Sequence, residues 1–208
     1  MKPQALTLST PDDREELARA EAYGLLAALL YAPPSAELHA QLAVAPTEAP
    51  APGAFLENSW GELVGTARRL SHAKVLEEFD ALFVALGKPE IFLFGSYYQA
   101  GALNEKPLVA LRHELAELGL ARDPAMSETE DHIAYLCEVM RYLIAGDDAG
   151  VSNLARQHRF FSTHLQGWAG ALWDTLAAHP RADFYRAVAG FARDFFEVEA
   201  QGFDLMDA

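Results

Sequence analysis

The sequence predicts an all-α fold in a single domain, on three observations. Alanine and leucine dominate while valine, isoleucine and threonine are scarce, a bias towards helix. Apolar residues recur at three- and four-residue spacing through most of the chain. The one strand-like run, Ile91-Phe92-Leu93-Phe94, has no partner strand elsewhere in the sequence. At 208 residues the chain is long enough to bury a sizeable core.

The first helix is expected from Pro11 to Tyr31, with Thr10 as its N-cap. Asp12, Asp13, Glu15 and Glu16 suit the positive end of the helix dipole. Leu17, Ala20, Gly24, Ala27 and Tyr31 mark its core face, widened by Leu25, Leu26, Leu29 and Leu30. Pro33 and Pro34 stop it, and Ser35 caps a short helix to about Ala43. The proline-rich stretch 44–54 reads as an extended surface connection. Helices follow at about 55–70 and 74–86, the second with Ser71 as cap and Leu76, Phe79, Leu82 and Phe83 on one face.

Residues 87–101, GKPEIFLFGSYYQAG, carry three glycines and a proline, which argue for a loop across the body with its aromatics partly buried. A helix from about Lys106 to Leu120 turns Leu108, Leu111, Leu115 and Leu118 to one side, and residues 121–126 form a short connector. Three more helices are expected near 128–145, 152–178, with a break at Gly167 or Gly170, and 182–202. In the first of these, Ser127 and Glu130 have the spacing of a capping box. Ile133, Leu136, Cys137, Met140 and Leu143 form its apolar face. Spacing alone makes His132 a solvated surface residue.

Composition and motifs exclude most chemistry. One cysteine, Cys137, permits neither an internal disulfide nor a thiolate zinc cluster, so a reducing compartment is expected. Its place on an apolar face makes it a small core residue rather than a nucleophile. No phosphate-binding loop, HExxH or Gly-x-Ser-x-Gly motif is present, and the seven histidines are scattered. No apolar run is long enough to span a membrane, and the opening MKPQALTLST lacks the features of a secretory signal. Thirty acidic against sixteen basic side chains give a net charge of −14, which argues against nucleic acid and fits a basic partner.

Four stretches in order resemble the TorD/DmsD/NarJ family of redox-enzyme maturation chaperones. They are EEFDALFVALGKP (77–89), FGSYYQAG (94–101), SETEDHIAYLCEVM (127–140) and RQHRFFSTHLQGW (156–168). Thr129 stands where the family pattern has proline, and the loop after Pro89 reads EIFLF where many relatives carry another proline and a tryptophan.

The resemblance implies a cytosolic, non-catalytic helical protein of two halves joined by a hinge at 121–126, without a cofactor of its own. Its partner would be the precursor of a molybdoenzyme catalytic subunit, its twin-arginine signal peptide, or both. A formate dehydrogenase, an N- or S-oxide reductase or another relative would each fit. Asp131 and His132 match the pair implicated in leader recognition, with Glu128 beside them, and Tyr97 and Tyr98 match the aromatic lining.

Carboxylates at 128 and 131 suit the guanidinium groups of a leader. Phe79, Phe83, Phe92, Phe94, Tyr97 and Tyr98 suit its apolar part. The family also implies a monomer or a domain-swapped homodimer. The rival expectation is a small-molecule-binding or enzymatic domain, with Asp131 and His132 as an acid–base pair in an aromatic pocket.

Overall fold

A computed structural model describes residues 11–47, 56–84, 88–123 and 125–205, with side chains from Arg14 onward. Its helices are α1 (Pro11–Tyr31), α2 (Ala36–Val44), α3 (Glu57–Arg69), α4 (His72–Phe79), α5 (Gly95–Ala100), α6 (Lys106–Glu117), α7 (Ile133–Ala145), α8 (Leu154–His164), α9 (Ala169–Ala178) and α10 (Phe184–Asp204). A π-helical turn, Asp80–Val84, extends α4. Among the described residues the only strand-like pairing is an isolated antiparallel bridge between Phe94 and His132. The fold is all-α, as the composition predicts. Thr10 and much of the proline-rich connection lie outside the described residues.

Helices α1, α7 and α10 organise the core. α1 packs along α7, which packs on α8, while α10 gathers α3, α4 and α9 around it. Where α1 meets α10, the buried Glu199 carboxylate accepts hydrogen bonds from Arg19 Nε and Nη2 (2.6 and 2.9 Å) and from Tyr23 Oη (3.0 Å). Burial, reinforced by the Glu199 charge, pushes the Tyr23 phenol well up. A buried carboxylate so fully partnered avoids the desolvation cost that an isolated charge would carry. Tyr23 meets Phe195 and Phe196 edge-on at ring centroids 4.8 and 6.0 Å apart. Tyr31, read from the sequence as a core position, is instead 40% exposed at the end of α1, and Tyr23 takes the core position.

Local signals set several boundaries. Ser35 and Ser71 cap α2 and α4, their hydroxyls accepting from Leu38 N and Lys74 N at 3.1 and 3.4 Å. The leucine face of α6 is buried as its spacing requires, and Cys137 is fully buried in α7, its thiol pushed up by desolvation. The 152–178 pattern divides at residues 165–168, next to Gly167, where Trp168 Nε1 donates to the His164 carbonyl at 2.6 Å.

Other expectations are corrected. The 74–86 helix ends as α-helix at Phe79, and the wider π turn brings Leu82 into the core; Val75, not Leu76, is the buried partner of Phe79. The loop at 87–101 contains helix α5. α7 starts at Ile133 rather than near Glu128, so the Ser127–Glu130 capping box does not form. Ser127 Oγ donates to Glu128 Oε1 at 3.1 Å, and Glu130 pairs with Arg112 at 2.8 Å.

α10 lacks a cap of its own. Glu78, from α4, supplies it: its carboxylate accepts from Asp183 N, Phe184 N and Tyr185 N at 2.9, 3.0 and 2.8 Å. Three otherwise orphaned N–H groups thus meet a negative charge at the positive end of the dipole. Glu78→Ala should lower stability by about 2 kcal/mol in urea unfolding. Glu77→Ala, on the exposed side of the same helix beside Lys74 at 2.5 Å, should change it by less than about 0.5 kcal/mol.

Candidate functional site

The stretches 93–96 and 131–133 are bound antiparallel through their main chains. Ile133 N donates to Leu93 O at 2.8 Å, and Gly95 N donates to Asp131 O at 2.9 Å. Asp131 Oδ2 accepts from Ser96 N at 2.8 Å, so this side chain caps α5 from outside the helix. Asp131 Oδ1 accepts from Thr129 Oγ1 at 2.6 Å. The hydroxyl at 129 therefore makes a hydrogen bond that proline would lack. Gly95 allows a close approach, since an added Cβ would lie 3.0 Å from Trp168 Cε2 and the indole would have to give way. At 3% exposure, with both oxygens engaged, the Asp131 carboxylate holds the fold together rather than facing solvent.

His132 is the N-cap of α7, its Nδ1 accepting from Ala134 N at 3.2 Å. The ring is 4% exposed and lies edge-on to Phe94 (5.0 Å) and Tyr31 (6.4 Å), with Tyr135 tilted beside it (5.7 Å). It is not the solvated residue that spacing suggested. Burial lowers its pKa to about 4, and the Asp131 charge offsets only part of that. The two neighbours make no hydrogen bond to each other and each serves a different helix.

His132 lines a depression of about 130 Å³ with Tyr31, Phe83, Val84, Phe94 and half-buried Glu128. Phe83 is held there by ring contacts to Phe79 and Tyr185 at 5.0 and 4.9 Å. The loop that carries Phe94 is fixed at its start, where Glu90 N and Ile91 N both donate to Leu82 O at 3.1 Å. The Glu90 carboxylate also pairs with His179 (2.9 Å) and Arg181.

Of the residues singled out from sequence, Phe83, Phe94, Glu128 and His132 therefore meet in one place. Tyr97 and Tyr98 do not line it. Tyr97 stacks on Phe92 at 4.3 Å, and Tyr98 stacks on Trp168 at 5.6 Å, where burial pushes its phenol up to about 12.

A larger trough, about 490 Å³, lies between α6, the connector and α7. Its walls include Leu115, Leu120, Met126, Tyr135, Val139 and Tyr142. None of these was singled out as a site residue, although Tyr135, Val139 and Tyr142 follow i, i+4, i+7 spacing and make a second apolar stripe on α7. Tyr135 stands between trough and depression, its ring 5.5 Å from that of Tyr31. Arg112 and Arg122 flank the entrance to α7 through Glu130, at 2.8 and 3.9 Å. Partial burial raises the Glu130 pKa, but hydrogen bonding to Arg112 and the charge of both arginines outweigh it and hold the carboxyl low. Among the described residues no cluster of three or more His, Cys, Asp or Glu side chains could hold a metal ion, and no helix is long and apolar enough to cross a membrane.

The sequence profile of the family described as nitrate reductase delta subunit matches residues 50–174. This span contains the depression's Phe83, Phe94, Glu128 and His132 and the whole of the trough. No curated protein sequence matches the chain.

The buried imidazole has a definite consequence for stability. Its folded pKa of about 4 lies below the ordinary 6.5, so as pH falls the unfolded chain takes up a proton first. The stability His132 confers is full above about 6.5 and is lost as pH drops towards 4. His132→Asn, which retains a capping oxygen, should shrink the loss of stability between pH 7 and pH 5 by about 2 kcal/mol. Urea midpoints of both proteins at the two pH values measure this.

Proposed function

The chain belongs to the nitrate reductase delta subunit family, whose members are maturation chaperones, and from that premise we propose that it binds an immature molybdoenzyme catalytic subunit through the depression and the trough along α7. The single observation that carries this reading is the second apolar stripe of α7. Tyr135, Val139 and Tyr142 are not taken into the core, and they open into a trough of about 490 Å³. An apolar segment of a client, amphipathic once helical, has the shape and chemistry to lie there.

The basic end of such a segment, a twin-arginine leader included, is read at Glu128. This half-buried carboxylate lies at the small depression, and the −14 net charge draws the segment in. In this reading Asp131 acts by positioning: it fixes α5 and the Phe94 loop, and its own oxygens are already taken. Tyr97 and Tyr98 support the same loop from α5 through Phe92 and Trp168. The client is held in the cytoplasm until its cofactor is inserted. The chaperone contributes binding and needs no cofactor.

A pull-down from native cytosol tests the proposal, using tagged wild type, Glu128→Gln and Val139→Glu, with circular dichroism to show that each variant folds. Wild type should retain a molybdoenzyme precursor identified by mass spectrometry, and each variant should retain at least about tenfold less. Precursor held equally by all three would move the site elsewhere, and no precursor on wild type would sink the function.

The same proposal includes exchange of helical halves about residues 121–126, a connector between α6 and α7. Arg122 ties it to the Met126 and Glu128 carbonyls. Light scattering after size exclusion should show a dimer growing with concentration, and a single monomeric species throughout would remove this part.

A further inference from the structure

We propose that His132 presents the Nε2–H of a neutral imidazole to a carbonyl oxygen of the bound segment, one apolar side chain of which fills the depression beside it. The proposal rests on the client-binding reading and specifies the chemistry at that site. It separates the roles of two neighbouring groups: His132 reads an acceptor, and Glu128 reads a cation.

The tautomer follows from the cap. Nδ1 accepts the Ala134 N–H, so it carries no proton, and in the neutral ring the proton resides on Nε2. That N–H meets no polar partner among the described residues, although the side chain is 4% exposed. Its surroundings in the depression include Tyr31, Phe83, Val84 and Phe94, with Glu128 the only carboxylate among the described lining residues. The nitrogen is not among the buried side-chain atoms left without a partner, so solvent reaches it in the depression, and an incoming acceptor takes the place of water there.

Charge and size narrow the occupant. Protonating the ring would replace the Nδ1 acceptor by a donor facing the Ala134 N–H, so the cap and the neutral state stand or fall together. The titratable groups around the ring are Asp131, Glu128, Tyr31 and Tyr135. A guanidinium has five donors and no acceptor, so an arginine of the client cannot be the partner of Nε2–H. The volume, about 130 Å³, matches the roughly 150 Å³ that takes up one benzene-sized group. One leucine- or phenylalanine-sized side chain fits, and a whole apolar stretch does not.

Nitrogen-detected NMR of the full chain, labelled at histidine, tests this with N-acetyl-leucine N-methylamide as the probe. The expected result is an Nε2–H tautomer from pH 6 to 8, with the Nε2 proton moving downfield as the probe is added. His132→Asn keeps a good cap but lacks the far ring nitrogen, so it should fold normally and bind the probe at least about tenfold more weakly.

An Nδ1–H tautomer, absence of probe binding, or equal binding by the Asn variant would overturn the proposal. So would probe contacts at Phe94 and Tyr31 that leave the Nε2 proton unmoved. A chain that engages the probe through Nε2–H yet retains no molybdoenzyme in the pull-down would remove the client assignment and leave this recognition chemistry standing.

Discussion

Asp131 is the point on which the site depends. Its carbonyl accepts the Gly95 N–H and its carboxylate accepts the Ser96 N–H, so one residue satisfies the first two donors of α5. The next residue, His132, begins α7 by accepting from Ala134 N. Two helices distant in sequence therefore start back to back from one dipeptide. Phe94 and His132 come together because of that junction, placed by backbone hydrogen bonds rather than by side-chain packing alone, and Glu128 lines the same depression. Loss of the Asp131 carboxylate would leave the buried Ser96 N–H and the Thr129 hydroxyl without this acceptor, a larger cost than a missing surface charge.

A similar device recurs at the other end of the molecule, where Glu78 of α4 holds the first N–H groups of α10. Glu199 in turn joins α10 to α1 through Arg19 and Tyr23. Part of the chain's acidity is thus structural, placed at helix starts and at buried pairings such as that of Glu199 with Arg19. The remainder faces solvent, where a field of net charge −14 acts on basic partners over a Debye length of about 8 Å at physiological salt.

The route from fold to function runs through α7. One stripe of this helix, Ile133, Leu136, Cys137, Met140 and Leu143, is buried against α1 and α8. The other, Tyr135, Val139 and Tyr142, is only partly covered and opens into the trough between α6 and α7. A helix apolar on two sides is costly to leave half covered, which is the reason for proposing the client surface there. Family membership supplies the class of protein, a maturation chaperone, and the surface along α7 is the one proposed for its client.

Much of the architecture was legible locally. α1 begins and ends where proline, acids and the Pro33-Pro34 pair say it should, and Ser35 and Ser71 are caps as their positions suggest. The leucine spacing of α6 and the core face of α7 were equally plain. Such features depend on interactions within one or two turns, which a sequence displays directly. α5 was not legible, because its cap lies thirty-five residues downstream in Asp131. Nor was the start of α7, since Ser127 and Glu130 mimic a capping box while pairing with Glu128 and Arg112 instead.

The motif residues were found in the sequence, yet their division of labour was not. Spacing made His132 a solvated surface residue and resemblance paired it with Asp131, whereas the fold buries both and turns Asp131 to α5. By itself the sequence determined the helices and the acidic balance, because propensity, periodicity and charge are local or additive. Only the tertiary structure decided which carboxylate caps and which one stays half-exposed at the depression, because that choice is made by hydrogen bonds between segments far apart in the chain.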